Sequence, residues 1–68
     1  MSETPRVMLY VNDRAEGDFM DSIELAKLTA QPHIDKGAKV HIVVARWLKP
    51  LETLTYEKDS QVWRTRIG

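Results

Sequence analysis

The chain has 68 residues, 43% hydrophobic and 29% charged, and this composition predicts one folded domain rather than a disordered segment. Ten basic residues balance ten acidic ones, so the overall charge gives no argument for non-specific binding to nucleic acid. The absence of cysteine excludes a disulfide framework and a thiolate metal site.

The first predicted strand runs from Arg6 to Val11, a short stretch of apolar and β-branched residues. Asn12 and Asp13 follow it, and their side chains favour turns because they hydrogen-bond to nearby backbone groups. We predict an acidic loop from there to Asp18.

A helix is predicted next, from Asp21 to Gln31. Asp21 can cap its first turn while Glu24, three residues later, returns the hydrogen bond, and Asp18 is an alternative cap one turn earlier. Apolar residues at helical spacing give this segment one broad apolar face. Because Pro32 disfavours helical geometry in the residue before it, we expect the helix to end near Gln31.

Three further strands are predicted in the second half of the chain. The segment from Lys39 to Trp47 has the strongest strand pattern, and Pro50 follows it as a strand breaker. Residues 51–57 and 61–67 form a predicted hairpin. The expected fold is α+β with the order β-α-β-β-β, one helix packed on a four-stranded, mostly antiparallel sheet. The first two strands could instead be parallel neighbours, as at the start of doubly wound proteins.

The first two predicted strands are apolar on both faces, whereas a single helix can cover only one face of a sheet. Contiguous exposed apolar patches usually mark association surfaces, so the second face is the predicted partner-binding surface. Its members are Tyr10, His41, Val43 and Trp47. The alternatives are that the Lys49–Pro50 segment or the N-terminal tail covers this face, or that a homodimer buries it.

Acidic residues concentrate in the first half of the chain and are predicted to engage a basic surface on a partner. They are Asp13, Glu16, Asp18, Asp21 and Glu24. A calcium loop aligned on Gly17 fails, because Arg14 would occupy a position that needs an oxygen ligand. The two histidines, His33 and His41, lie on different elements, and we expect neither a metal site nor a cofactor.

Catalysis is not expected. None of the serines lies in a Gly-x-Ser-x-Gly motif, which positions a catalytic serine on a sharp turn. The sequence also shows no catalytic triad, in which a base that a third group orients lies beside the nucleophile. The three glycines are too scattered to form a phosphate-binding loop.

Aromatic and basic residues alternate at 46–49 and 63–66, as they do in proteins that bind single-stranded nucleic acid. This pattern gives an alternative function as a small nucleic-acid-binding protein. Its predicted contacts are Arg46, Lys49, Trp63, Arg64 and Arg66. In an extended strand Arg64 and Arg66 point to one face and Trp63 to the other. The simpler interpretation is a basic edge that discourages strand-to-strand aggregation.

The element order, the capped helix Asp18–Ala30, the strand Lys39–Trp47 and the ending L-T-Y-E-K-D-S-Q-V-W at 54–63 resemble small bacteriophage proteins. The pattern is similar to that of phage inhibitors of bacterial RNA polymerase, and the Tyr-then-Trp hairpin is similar to one in some anti-CRISPR proteins. The resemblance implies a non-catalytic protein that binds and inhibits a larger host protein or complex. It assigns no functional residues.

The first five residues lack the basic start and apolar stretch of a signal peptide, and no apolar run is long enough to span a bilayer. We therefore expect a cytoplasmic protein with no membrane partner, located in the host cytoplasm if a phage encodes it.

Overall fold

The computed structural model describes residues 6–67, which form five strands and one helix. In chain order these are β1 (Arg6–Val11), β2 (Arg14–Met20), α1 (Ile23–Asp35), β3 (Val40–Ala45), β4 (Glu52–Glu57) and β5 (Val62–Ile67). The strands make one antiparallel sheet in the order β2-β1-β3-β4-β5. The predicted α+β fold is confirmed, with one strand more than expected. Within the described residues no helix has the length and apolar character needed to cross a membrane.

The additional strand, β2, occupies most of the segment that the sequence predicts to be an acidic loop. Asn12 and Asp13 have φ of 51° and 66°, the backbone of a tight hairpin turn, and they connect β1 directly to β2. The register shifts near Gly17, whose φ of 72° suits a β-bulge. The loop prediction was wrong because this strand is exposed and mostly polar, so it lacks the apolar alternation that identifies half-buried strands.

Strands β1 and β3 are antiparallel neighbours at the centre of the sheet. Their register runs from Arg6 opposite Ala45 to Val11 opposite Val40. The alternative of two parallel first strands is therefore wrong. The chain reverses direction in the β1–β2 hairpin, so the helix that follows returns to the sheet with β3 antiparallel to β1.

The N-cap of the helix lies one residue later in the chain than predicted. Ser22 is the N-cap, and its hydroxyl oxygen accepts a hydrogen bond from the backbone N–H of Leu25 at 3.1 Å. The predicted cap Asp21 precedes this position, and the alternative cap Asp18 lies within β2. Glu24 falls one residue short of the position that would return the bond, so no capping box forms.

The helix also continues past Pro32 to Asp35, so the predicted end near Gln31 was wrong. Pro32 lies on the exposed side of the last turns, where water can reach the carbonyl that a proline leaves without a donor. Gly37, with φ of 82°, ends the helix. Its N–H donates to the Ile34 carbonyl and the Ala38 N–H donates to the His33 carbonyl, both at 2.9 Å, which is a Schellman motif.

The core lies between α1 and one face of the sheet, and its members are aliphatic. They are Val7, Leu9, Ala26, Ala30, Val40, Ile42, Val44 and Leu54. On the helix side the buried residues are the two alanines, Ala26 and Ala30, whose small side chains let the backbone approach β1 and β3 closely. No polar or charged residue among 6–67 is buried. The larger aromatic side chains are left nearer the surface.

Candidate functional site

The face of the sheet opposite α1 is covered by no helix of residues 6–67, and we refer to it as the open face. Strand alternation and register assign its members from the central strands outward. They are Arg6, Met8, Tyr10, Ala15, His41, Val43, Ala45, Thr53, Thr55, Glu57, Val62, Arg64 and Arg66. Its central apolar and aromatic side chains lie on β1 and β3, where they are half-buried by their neighbours rather than by a covering element.

An aromatic pair lies at the centre of the open face. Tyr10 and His41 are opposite each other in the β1–β3 register, and their rings stack with centroids 5.0 Å apart and planes within 1°. Met8 and Val43 form the next opposite pair along the same two strands. The structure thus brings together three of the four residues that the sequence predicts for partner binding.

The fourth predicted residue, Trp47, lies beyond the end of β3. It is 73% exposed and borders a cavity of about 400 Å³ together with Arg6, Ala45 and Arg46. Since Arg6 and Ala45 belong to the open face, Trp47 extends this face at one end. Lys49 and Pro50, proposed as a cover for the face, are both exposed in the connection after β3. The N-terminal tail, the other proposed cover, lies outside the described residues.

Four of the five acidic residues singled out in the sequence lie along one edge of the sheet, where β2 has a neighbour on one side alone, and the fifth, Glu24, is in α1. Asp13 is in the β1–β2 turn, Glu16 and Asp18 are in β2, Asp21 precedes the helix and Glu24 is in its first turn. All five are exposed. Their engagement of a partner stays a prediction, but their alignment along one edge follows from the unexpected strand.

The basic and aromatic residues of the nucleic-acid alternative do not form one surface. Arg64 and Arg66 lie on the open face, opposite Thr55 and Thr53, as the strand alternation predicts. Trp63 lies on the helix side, where its ring meets that of Tyr56 edge-on at 5.4 Å. The Lys27 ammonium of α1 lies 5.9 Å from the centre of the Trp63 ring, which places this indole on the helix side of β5.

The two remaining residues of that alternative are also separated from Arg64 and Arg66. Arg46 is engaged by Glu52, with the guanidinium nitrogen 2.5 Å from the carboxylate oxygen. Lys49 lies in the exposed connection after β3. A single-stranded ligand that contacts Arg64 on the open face would therefore not reach the indole of Trp63.

The open face carries an excess of positive charge. Arg64 forms an ion pair with Glu57, the adjacent residue on the same face. The hydrogen bond from Arg64, with a second one from Ser60, holds the pKa of Glu57 below its ordinary value. Arg6 and Arg66 are exposed on this face as well, so three guanidinium groups share the face with the carboxylate of Glu57.

A row of exposed apolar side chains along one end of the sheet was not predicted from the sequence as a set. We refer to it as the apolar end. Its members are Phe19, Trp47, Leu48, Leu51 and Ile67. They come from the end of β2, the β3–β4 connection and the end of β5, which lie at the same end of the sheet, with β2 and β5 at its opposite edges. The sequence shows apolar residues on both sides of Pro50, but Phe19 and Ile67 join them through the strand order alone.

The described residues contain no group of three or more His, Cys, Asp or Glu side chains that could hold a metal ion. Comparison with known proteins found no matching family model, no matching curated protein and no matching solved structure. The resemblance to small bacteriophage inhibitors therefore stays a prediction from the sequence pattern.

Proposed function

We propose that this is a non-catalytic protein that binds a larger protein or complex and inhibits or modulates it, using the open face as its contact surface. One observation carries the proposal. The stacked Tyr10–His41 pair, with Met8 and Val43 beside it, lies on a sheet face that no described helix covers. Apolar and aromatic patches of this kind are typical of association surfaces.

The composition of the open face supports a protein ligand. Interfaces are enriched in Tyr, Trp, Met and Arg, and a few such residues usually supply most of the binding energy. Here Tyr10 and Met8 are central, Trp47 is at one end and Arg66 is at the β5 edge. A centre of half-buried apolar groups with charged groups at its margin matches the usual arrangement of an interface core and rim.

The host-directed form of the proposal comes from the sequence pattern. The resemblance to phage inhibitors supports a bacterial host protein or complex as the partner and the host cytoplasm as the place of action. The acidic edge formed by β2 and the start of α1 supports a partner that presents a basic surface beside the apolar contact.

Capture from bacterial lysate with the tagged protein, followed by titration of the purified partner, tests the open face. Val43→Lys places a charge at its centre and should weaken binding by about tenfold or more. Gln31→Lys, on the exposed surface of α1, is the matched control and should bind like the wild type. Circular dichroism verifies that both variants fold. Equal affinity of the two variants would exclude the open face as the contact surface.

The acidic edge is tested separately through association kinetics. Replacing Asp18, Asp21 and Glu24 with their amide counterparts should slow association at low salt, because complementary charges mainly accelerate encounter. The difference from the wild type should shrink as salt is added. An unchanged association rate at low salt would remove these residues from the mechanism.

A second candidate function is the binding of single-stranded nucleic acid. The observation that favours it is that Arg64 and Arg66 share the open face with the Tyr10 and His41 rings. Basic side chains beside aromatic rings on an exposed sheet are typical of single-strand binding. Fluorescence anisotropy with labelled 12-nucleotide DNA and RNA should then show binding that weakens with salt and with Arg66→Gln. No change in anisotropy at low salt would contradict this function.

A further inference from the structure

Strand β5 forms one edge of the sheet, and its pairing with β4 is regular along its whole length. The register runs from Glu52 opposite Ile67 to Glu57 opposite Val62 without a shift, and β5 contains neither glycine nor proline. In an edge strand every second residue directs its backbone N–H and C=O groups away from the sheet. These groups of β5 are in position to pair with an added strand.

The opposite edge, β2, is less suited to such pairing. Its register with β1 shifts near Gly17, and a bulge of this kind twists an edge away from an added strand. Glu16 and Asp18 also place negative charge along this edge. Of the two edges, β5 is therefore the one that presents an uninterrupted row of backbone donors and acceptors.

The helix does not extend over β5. Within the described residues α1 packs against β1, β2 and β3, while the side chain of Lys27 reaches across to the Trp63 ring. Trp63 is half-buried, and Ile67 on the same side of β5 is 66% exposed. Apolar side chains of an added strand would cover these two residues, and cross-strand contacts of this kind stabilise a sheet.

The other side of β5 is basic. Arg64 and Arg66 point to the open face, where Arg64 is paired with Glu57 and Arg66 forms no ion pair with any described residue. Glu52, on the neighbouring strand β4, lies on the helix side and pairs with Arg46. A carboxylate from outside the chain can therefore pair with Arg66. Arg64 can bind a second carboxylate, because a guanidinium has several N–H donors.

A second copy of β5 does not match this edge. Residues that face each other in an antiparallel pair point to the same side of the sheet, so two β5 strands can pair five residues in two registers. One register places Arg64 opposite Arg64, and the other places Arg64 opposite Arg66. Like charges directly opposite each other destabilise a strand pair. The same charges attract a strand that carries carboxylates.

We propose that the β5 edge binds an extended acidic segment of a protein partner, which adds a strand to the sheet. In this segment carboxylate residues beside Arg64 and Arg66 alternate with apolar residues beside Trp63 and Ile67. Main-chain hydrogen bonds supply the affinity and the alternating side chains supply the specificity, as is usual when a peptide adds a strand to a sheet edge.

This inference goes beyond the proposed function, which uses the centre of the open face and leaves the conformation of the partner undefined. It also differs from the contact proposed for the acidic edge, where β2 meets a basic surface. One partner can occupy both the open face and the β5 edge, because Arg64 and Arg66 belong to both.

A synthetic peptide tests the proposal on the full chain without an identified partner. The probe is a fluorescein-labelled peptide of about six alternating Glu and Val residues with blocked ends, and the control peptide has Lys in place of Glu. In fluorescence anisotropy the Glu peptide should bind about tenfold more tightly than the Lys peptide. The difference should shrink as salt is added, since the charges are exposed.

Charge reversal tests the side-chain contact. Arg66→Glu should abolish the preference for the Glu peptide, because the new carboxylate offsets the charge of Arg64. Arg14→Glu makes the same change in the exposed strand β2 and is the matched control, which should keep the preference. Circular dichroism verifies that both variants fold. A folded Arg66→Glu variant that still prefers the Glu peptide would overturn the proposal.

N-methylated peptides test the backbone pairing, because methylation removes the N–H donor. Alternate residues of an added strand direct their N–H groups toward β5. Methylation of one set, either all Glu or all Val residues, should therefore abolish binding, while methylation of the other set should not. In NMR hydrogen exchange the peptide should slow the exchange of amides in 62–67 and leave those in 14–20 unchanged.

Several results would overturn the proposal. They are no binding of the Glu peptide, equal effects of the two methylated sets, and slowed exchange in β2 in place of β5. Slowed exchange in β5 at high protein concentration without peptide would make a second copy the occupant and would also overturn it. Val43→Lys, which should lose the protein partner at the open face, should still bind the Glu peptide, so failure of one proposal is distinguishable from failure of the other.

Discussion

The Ser22 hydroxyl accepts a hydrogen bond from the backbone N–H of Leu25, and this contact defines the first turn of α1. Ser22→Ala removes it and should lower the free energy of unfolding by about 1 kcal/mol, the usual effect of losing an N-cap. Asp21→Ala is the control, since Asp21 contributes at most the weaker attraction of a carboxylate for the helix N-terminus. Urea unfolding measures the stability of both variants. A larger loss of stability in Asp21→Ala than in Ser22→Ala would show that Asp21, and not Ser22, is the N-cap.

The two tryptophans should respond differently to truncation. Trp47 is 73% exposed, so Trp47→Ala should change the free energy of unfolding by less than about 0.5 kcal/mol. Trp63 is partly buried against the core and meets Tyr56 edge-on, so Trp63→Ala should cost about 2 kcal/mol, below the range for fully buried aromatics. Thermal unfolding followed by circular dichroism compares them. An unfolded Trp47→Ala protein would contradict its placement outside the core.

Leu48→Gly should stabilise the fold. Leucine in the left-handed region costs about 1–2 kcal/mol, and glycine removes this cost while losing part of the gain through the greater freedom of the unfolded chain. The expected net gain is about 0.5–1 kcal/mol in urea unfolding. Leu48→Ala is the control, because alanine retains the strain. A less stable Leu48→Gly variant would mean that the leucine side chain makes contacts that offset the strain.

The ion pair between Glu57 and Arg64 should appear in the pH dependence. Because the pKa of Glu57 is lowered in the folded state, its contribution to stability is present above the unfolded pKa and is lost as the pH falls through the folded value. Arg64→Gln should raise the pKa of Glu57 towards its ordinary value. Carboxyl titration by NMR measures the change, and Arg66→Gln is the control. An unchanged Glu57 pKa in Arg64→Gln would show that Arg64 is not its main partner.

Four of the five strands could be predicted because their patterns are local. Strands β1 and β3 consist mainly of β-branched and aliphatic residues, and β4 and β5 flank a polar turn. Strand β2 could not be predicted in this way, since it lies at an edge, buries little and depends on backbone pairing with β1. The cap at Ser22 in place of Asp21 is a difference of one residue between two good capping side chains.

The sequence by itself determined the α+β class and the alternation that separates Tyr10, His41 and Val43 from the core residues, because side-chain direction along a strand is a local property. The tertiary structure alone decided which of these side chains meet. Strand order and register put Arg64 and Arg66 on the face of the Tyr10–His41 pair, and the topology put exposed apolar residues of three distant segments at the same end of the sheet. Contacts between residues far apart in the chain depend on which strands pair and where the helix packs, and no local pattern encodes that choice.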